Sequence, residues 1–500
     1  MLFNSAQFLI FLPIVISIYY LVPRRVKSYW LLAASYFFYM CWNAGYIVLI
    51  LFSTIVTYIT GILIERTQKG KKDSEERAVF DKRMWLTVGI VLNLLVLFLF
   101  KYLNFGVEIL NSLCGRFSIS LHVPAFDLLL PVGISFYTFQ ALGYVIDVYR
   151  GEIHAEKDFF QYALFLSFFP QLVAGPIERS GNLLKQLSAL PDKISFAKWK
   201  EGTLLILWGY WLKVVLSDRI AIFVDTVYGD IDTYSGCFLV VATMLFAVQI
   251  YCDFAGYSII AIGTARILGI QLMENFNAPY FAMSVSEFWR RWHISLSGWF
   301  RDYLYIPLGG NRRGRIRKYL NILVTFGVSG LWHGADWSYV VWGLLNGSYQ
   351  VAGDLFMPVR KWFARILEIR TQSISHKLLK MVTTFLLVDF AWIFFRASSV
   401  REALRIIWKM VTVHNVWILL DGSLYTCGLE RKNFHLMLLC IVLVLCADWY
   451  KRRGIKIREI LVLQDYWAQC LVVVVAVMGL LLFGIWGVEY DASGFIYFQF

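Results

Sequence analysis

The sequence predicts an all-α, polytopic transmembrane protein of about 12 spans, with re-entrant or interfacial helices around a central tunnel. Three observations lead there. Of 500 residues, 59% are apolar and 17% aromatic, and the mean hydropathy is +0.61. Charged residues make up 16%, against roughly 25% in ordinary soluble domains. Uncharged runs of about 20 residues, the length that matches the hydrocarbon core of a bilayer, recur along the chain. The Lys and Arg residues fall mainly between these runs, as cytoplasmic loops require. The net charge of +13 is therefore a topology signal. No nucleic acid partner is expected, because no basic, aromatic platform stands apart from the apolar runs. The chain reads as one membrane domain over 1–500, with N-terminal spans in 1–150, a motif-bearing core in 159–353 and C-terminal spans in 354–500.

Phe3–Val22 is uncharged and ends at Pro23-Arg24-Arg25-Val26-Lys27. With no basic region ahead of it, it reads as a retained first span, and its basic end places the N-terminus outside. Ser28–Ile64 is too long for one span, and Trp42-Asn43-Ala44-Gly45 supplies the turn of a hairpin. Glu65–Arg83, with seven Lys or Arg, returns it to the cytoplasm. Met84–Phe100 crosses outward and Leu128–Ile146 inward. Phe159–Ile177 is uncharged but holds Pro170 and Gly175-Pro176. It predicts a broken, re-entrant or interfacial pair, since non-helical backbone at membrane depth needs protein or water around it. Thr203–Leu216 contains Lys213, expected to snorkel or to be paired. An acidic loop (Asp218, Asp225, Asp230, Asp232) precedes Tyr234–Ala265. Trp337–Gly353, Met381–Phe395, Phe434–Ala447 and Trp467–Val488 complete the spans, with both termini outside. Arg396, Arg401, Arg405 and Lys409 fit this scheme poorly, because they fall on the outer side. Either they lie along the interface or one pair of spans is miscounted. The eight cysteines lie mostly in apolar runs without Cys-x-x-Cys spacing, so neither a disulfide framework nor a zinc site is indicated. No metal is expected.

The chemistry concentrates in Phe288–Ala335. Phe288-Trp289-Arg290-Arg291-Trp292-His293-Ile294-Ser295-Leu296 opens it, a basic loop Asn311–Lys318 follows, and the uncharged run Leu320–Leu331 ends on Trp332-His333-Gly334. Placed on one helix, Ser286–Tyr303 puts Arg290, His293, Ser297 and Arg301 on one face and Trp289, Trp292, Leu296, Trp299, Phe300 and Tyr303 on another. Such a segment suits the cytoplasmic interface, and a plain interfacial anchor would show the same pattern. His333 follows an apolar run in which Gly327 and Gly330 permit close helix approach. An ionisable group in such a run is costly enough to count as a functional hypothesis; the competing reading is a satisfied core histidine. A neutral imidazole within reach of a hydroxyl is what general-base acyl transfer requires. Gln249, Asp253, Asp389 and Asp147 are polar groups at apparent depth that either line a cavity or satisfy helix-to-helix hydrogen bonds. The basic loop is a positive-inside signal or a site for an anionic carrier such as coenzyme A, whose phosphates prefer Arg forks. There is no Gly-x-Ser-x-Gly elbow, P-loop or dinucleotide fingerprint. Any chemistry rests on the histidines.

Five motifs in one order carry a resemblance. They are Pro170-Gln171-Leu172-Val173-Ala174-Gly175-Pro176-Ile177, Tyr251-x-Asp253-Phe254-x-Gly256-Tyr257-Ser258, Phe288 to Leu296 as above, Tyr305-Ile306-Pro307-Leu308-Gly309-Gly310-Asn311, and Leu331-Trp332-His333-Gly334. Together they resemble the membrane-bound O-acyltransferase superfamily, in the alginate O-acetylation branch that also holds the D-alanyl transfer proteins of teichoic acid. The similarity extends to the Phe495-Ile496-Tyr497-Phe498 ending. It implies a helical fold with a tunnel through the bilayer, His333 as the catalytic histidine and His293 as the second. Arg290, Arg291, Arg312 and Arg313 become candidates for holding donor phosphates. The implied activity takes acetyl from acetyl-CoA, with no bound cofactor, to hydroxyls of an extracytoplasmic glycan. An SGNH-type partner protein in the plasma-membrane setting completes the transfer. The alternatives are D-alanyl transfer from a carrier protein to teichoic acid, and a transporter whose histidines gate a proton.

Overall fold

The computed structural model describes residues 1–69, 75–173 and 175–486. Among them, all regular structure is helical. Among the described residues, six helices are long and apolar enough to cross a bilayer: Ala44–Thr67, Val79–Arg116, Cys237–Ile267, Ile374–Arg396, Arg431–Arg452 and Tyr466–Phe483. Ala6–Leu21 is a shorter apolar helix. The class is the polytopic helical one expected. The Phe495–Phe498 ending and the last two residues of the expected final span lie outside the described residues. The helices form two compact units, Met1–Ile206 with Ser258–Met273, and Leu207–Tyr257 with Glu274–Phe500.

In the first unit the expected hairpin turn is present. The Arg24–Met40 helix stops, and Asn43 Oδ1 accepts the Gly45 N–H at 2.9 Å to cap a short turn into the Ile47–Lys69 helix. The Phe159–Ile177 run is broken as its prolines require. A helix over Phe159–Ser167 ends at Phe168, and a four-residue helix Phe169–Leu172 follows. The backbone groups released by the break are satisfied by side chains, as burial demands. The Phe165 carbonyl accepts from Gln140 at 2.8 Å and from Gln171 at 3.1 Å, while the Phe169 N–H donates to Ser35 Oγ at 3.1 Å. Asp147 accepts from Ser180 Oγ at 2.5 Å. One boundary differs from expectation: helix over Leu128–Ile146 begins only at Ile134. Pro131 disfavours helical backbone at the residue before it, and Gly133 sits at φ +77°, in the left-handed region.

In the second unit the Arg315–His333 and Trp337–Leu355 helices form a hairpin. Arg315 to Lys318, read from the sequence as loop, are its first helical turn. The two helices approach through glycine: a methyl group on Gly343 would overlap the Phe326 carbonyl oxygen, and one on Gly330 the Tyr339 carbonyl oxygen. Gly343→Ala is therefore expected to splay the hairpin and cost about 1–3 kcal/mol, read as a lowered unfolding midpoint in detergent. Gly353→Ala on the same helix has open space around its Cβ and is the matched control, expected to be neutral or slightly stabilising.

Three of the four basic residues that fitted the topology poorly find acidic partners here. Arg396 pairs with Asp225 at 2.6 Å, and Asp232 pairs with Arg405 at 2.6 Å and Lys409 at 2.5 Å. The Lys409 ammonium, with Arg405, holds the Asp232 carboxyl below the usual carboxylate range. Arg401, Arg405 and Lys409 recur every four residues along the Val400–Thr412 helix, which buries Ala403 and Ile406 and exposes Leu404, Trp408 and Val411. That amphipathic pattern is that of a helix lying along an interface.

Candidate active site

His333 is the last residue of its helix. Gly334 leaves helical geometry and Asp336 caps the next helix, its Oδ1 accepting the Ser338 N–H at 2.7 Å. A side chain at position 334 would collide with the Tyr339 ring, so the glycine lets the chain turn back at once. The imidazole is 3% exposed and caged by rings: Trp332 at 4.9 Å, Trp342 at 5.0 Å and Phe395 at 5.6 Å between centroids. Trp342 stacks on Trp392 at 5.6 Å. The His293 ring centroid is 6.4 Å from that of His333. It packs edge-on to Phe254 at 4.6 Å and lies 6.1 Å from Trp332. A centroid separation of 6.4 Å is short enough for both rings to serve one reacting centre.

His293 does not lie in a continuous helix. The expected Ser286–Tyr303 helix is two short ones, Val285–Arg291 and Ile294–Phe300, followed by a π turn over Arg301–Tyr305. At the break His293 adopts φ +43°, ψ +55°, a left-handed conformation costly for a side chain of this kind. The preceding strand of chain holds it there. Ile294 N–H donates to the Asn275 carbonyl at 2.9 Å, Asn277 N–H to the Arg291 carbonyl at 2.9 Å, and Ser295 donates from N–H (3.2 Å) and Oγ (2.6 Å) to Asn275 Oδ1. Asn275→Ala removes both side-chain bonds. The expected result is at least a tenfold loss of activity, since displacing a site by about 1 Å costs on the order of 100-fold, with normal accumulation in membranes. Parallel activity and immunoblot measurements check it.

A cavity of about 1100 Å³ opens in the same unit. Arg290, Arg301, Lys318, Arg360, Lys361 and Lys380 line it, together with apolar groups such as Trp289, Leu296, Phe300 and Phe326. Neither histidine is among its lining residues. Its inner wall nevertheless includes Ser329, one helical turn before His333, and Leu296 and Ser297, one turn after His293; a turn is about 5.4 Å of helix.

The membrane-bound O-acyltransferase profile matches residues 152–400. A probable alginate O-acetylase of Azotobacter vinelandii is 39% identical over 84% of this chain and 80% of its own length. The chain belongs to the membrane-bound O-acyltransferase family. A peptidoglycan O-acetyltransferase of Helicobacter pylori is 32% identical over 83% of the chain and 81% of its own length. A teichoic acid D-alanyltransferase of Streptococcus thermophilus is 27% identical over 46% and 58%.

The residues singled out in this acyltransferase's sequence separate in the structure. His293 and His333, forty positions apart, come together. Arg290 lines the cavity. Arg291 is engaged elsewhere, bound to Glu287 at 3.0 Å and to the Asn277 carbonyl at 3.1 Å. Arg312 and Arg313 are exposed in the turn before the Arg315–His333 helix and are not cavity residues. Asp253 is bound to Lys213 at 2.6 Å, and Lys213 also reaches Asp218 at 2.9 Å; Lys213 is thus paired, one of the two outcomes expected. Gln249 and Asp389 are buried, and Gln249 Oε1 and Asp389 Oδ1 have no hydrogen-bond partner among the described residues. Asp389 stands one turn before Trp392, on the helix whose earlier residues His376, Lys380 and Thr384 line the cavity. Sequence reasoning missed Asn275 and the cavity cations Arg360, Lys361 and Lys380, whereas Lys318 ends the basic loop already offered as a carrier site. The only signal for the cations was their clustering as cytoplasmic charge; Asn275 has none, because its role is set by a pairing 20 residues away.

Proposed function

We propose that this acyltransferase moves an acetyl group from acetyl-CoA on the cytoplasmic side to a hydroxyl of an extracytoplasmic polysaccharide, with His333 as general base. The observation that carries the reading is a cavity lined by cations whose wall includes residues one helical turn from each of two buried, neighbouring histidine rings. Coenzyme A suits such a cavity: its phosphates match Arg290, Arg360, Lys361 and Lys380, whereas Lys318 is held by Asp354 at 2.8 Å, and its slender arm matches the apolar lining. In the step itself an acceptor hydroxyl gives its proton to an imidazole nitrogen of His333 while its oxygen attacks the thioester carbonyl carbon. The C–O bond forms, the C–S bond breaks, and the proton passes to the departing thiolate. His293 is suited to orient the donor or to stabilise charge developing on the carbonyl oxygen.

Relatives named as O-acetylating enzymes overlap this chain over more than four-fifths of its length, whereas the D-alanyltransferases overlap about half. That favours acetyl over D-alanyl. The basic loops support a cytoplasmic donor side and extracytoplasmic termini in the plasma membrane. An SGNH-type partner outside would complete delivery to the glycan. The test is release of CoA from labelled acetyl-CoA by the purified protein supplied with a polysaccharide acceptor, with and without His333. Intact thioester in the wild-type reaction, or equal release after His333 is replaced, overturns the reading.

A further inference from the structure

We propose that Trp289 sets the acyl-chain length this enzyme accepts, by closing the inner end of the cavity to all but the smallest acyl group. The inference rests on the cavity being the donor site. Trp289 belongs to two surroundings at once. It lines the cavity beside Phe326, with ring centroids 5.3 Å apart. It also packs edge-on against Trp342 at 5.6 Å, and the Trp342 ring lies 5.0 Å from that of His333. Moving from the cavity toward the base through this wall therefore means passing the indole.

The indole is fixed. Its Nε1–H donates to Asn346 Oδ1 at 3.1 Å, and Asn346 Nδ2 donates in turn to the Trp342 carbonyl at 2.9 Å. Displacing it breaks a buried hydrogen bond and an edge-to-face pair together. The lining also holds two small groups, Ser297 and Ser329, among larger ones such as Leu296, Phe300 and Phe326. A two-carbon acyl group at the end of a thin thioester arm needs little room at the indole; each further methylene must push on a ring held in place. An apolar wall of this kind discriminates by roughly 10- to 200-fold per methylene.

A purely structural role for Trp289 makes a different prediction: its replacement lowers stability and leaves chain preference alone. Full-length protein purified in detergent is given a polysaccharide acceptor with acetyl-, butyryl- or octanoyl-CoA, and release of the CoA thiol is followed for wild type, Trp289→Phe and Trp289→Ala. The wild type is expected to rank acetyl first and octanoyl last. Trp289→Ala is expected to raise the octanoyl-to-acetyl ratio of kcat/KM about tenfold or more, and Trp289→Phe by less. An unchanged ratio, or a wild type that already prefers octanoyl, overturns the proposal and leaves the donor site standing. A wild type that releases CoA from none of the three overturns both. Where Trp289→Ala does not elute as a single species, Phe326→Ala on the same wall is judged by the same ratio.

Discussion

His333→Gln is expected to reduce acetyl transfer by about 10²- to 10⁴-fold, the range that a positioned general base contributes. Glutamine keeps much of the volume and polarity of the ring inside its aromatic cage, so packing against Trp342 and Phe395 is disturbed little. It has no nitrogen that accepts a proton. His293→Gln should cost less, on the order of 10²-fold, if that ring steadies charge and does not itself take the proton. In the proposed mechanism the two rings act on one reacting centre, so the double variant should be no slower than His333→Gln alone; groups that work as a unit are not additive. Independent, additive losses would mean that each histidine serves a separate step. Membrane content and elution profile, measured beside activity, keep a folding defect apart from a chemical one.

Much of this site was legible in the sequence because its signals are local. Pro170 and Gly175-Pro176 announce a broken segment whatever surrounds them, and Trp42–Gly45 announces a turn. A histidine at the end of an apolar run is conspicuous at His333 for the same reason. What could not be read depends on partners distant in the chain. The 3.6-residue pattern of Ser286–Tyr303 is a good helix, and it breaks at His293 because Asn275 and Asn277 pair with the backbone there and hold the left-handed turn. The charges at Arg405 and Lys409 violated a topology rule until Asp232, more than 170 residues earlier, took them up. The choice among four arginines as donor contacts is likewise a matter of which side chains already have partners: Arg291 is held by Glu287 one turn before it, and nothing in the motif distinguishes it from Arg290.

Lys213→Met is expected to lower the stability of the folded protein by several kcal/mol. The ammonium lies between Asp253 at 2.6 Å and Asp218 at 2.9 Å, and both Lys213 and Asp253 are almost fully buried. Removing it leaves two carboxylates in an apolar surround without their cation, and breaking a buried pair from one side costs about 3–5 kcal/mol. The site offers little room to relax: a methyl group on Gly256, three residues after Asp253, would crowd the Gly209 carbonyl oxygen and the Lys213 backbone. Asp253→Asn should be milder, since Lys213 keeps Asp218. Combining Lys213→Met with Asp253→Asn should recover part of the loss, because the pair removes one buried negative charge; coupling between such neighbours runs to roughly 0.5–3 kcal/mol. The unfolding midpoints of the four proteins in detergent give that coupling directly. Should Lys213→Met fold as well as wild type and lose only its turnover, the lysine is part of the chemistry, and Asp253 belongs with it at the reacting centre.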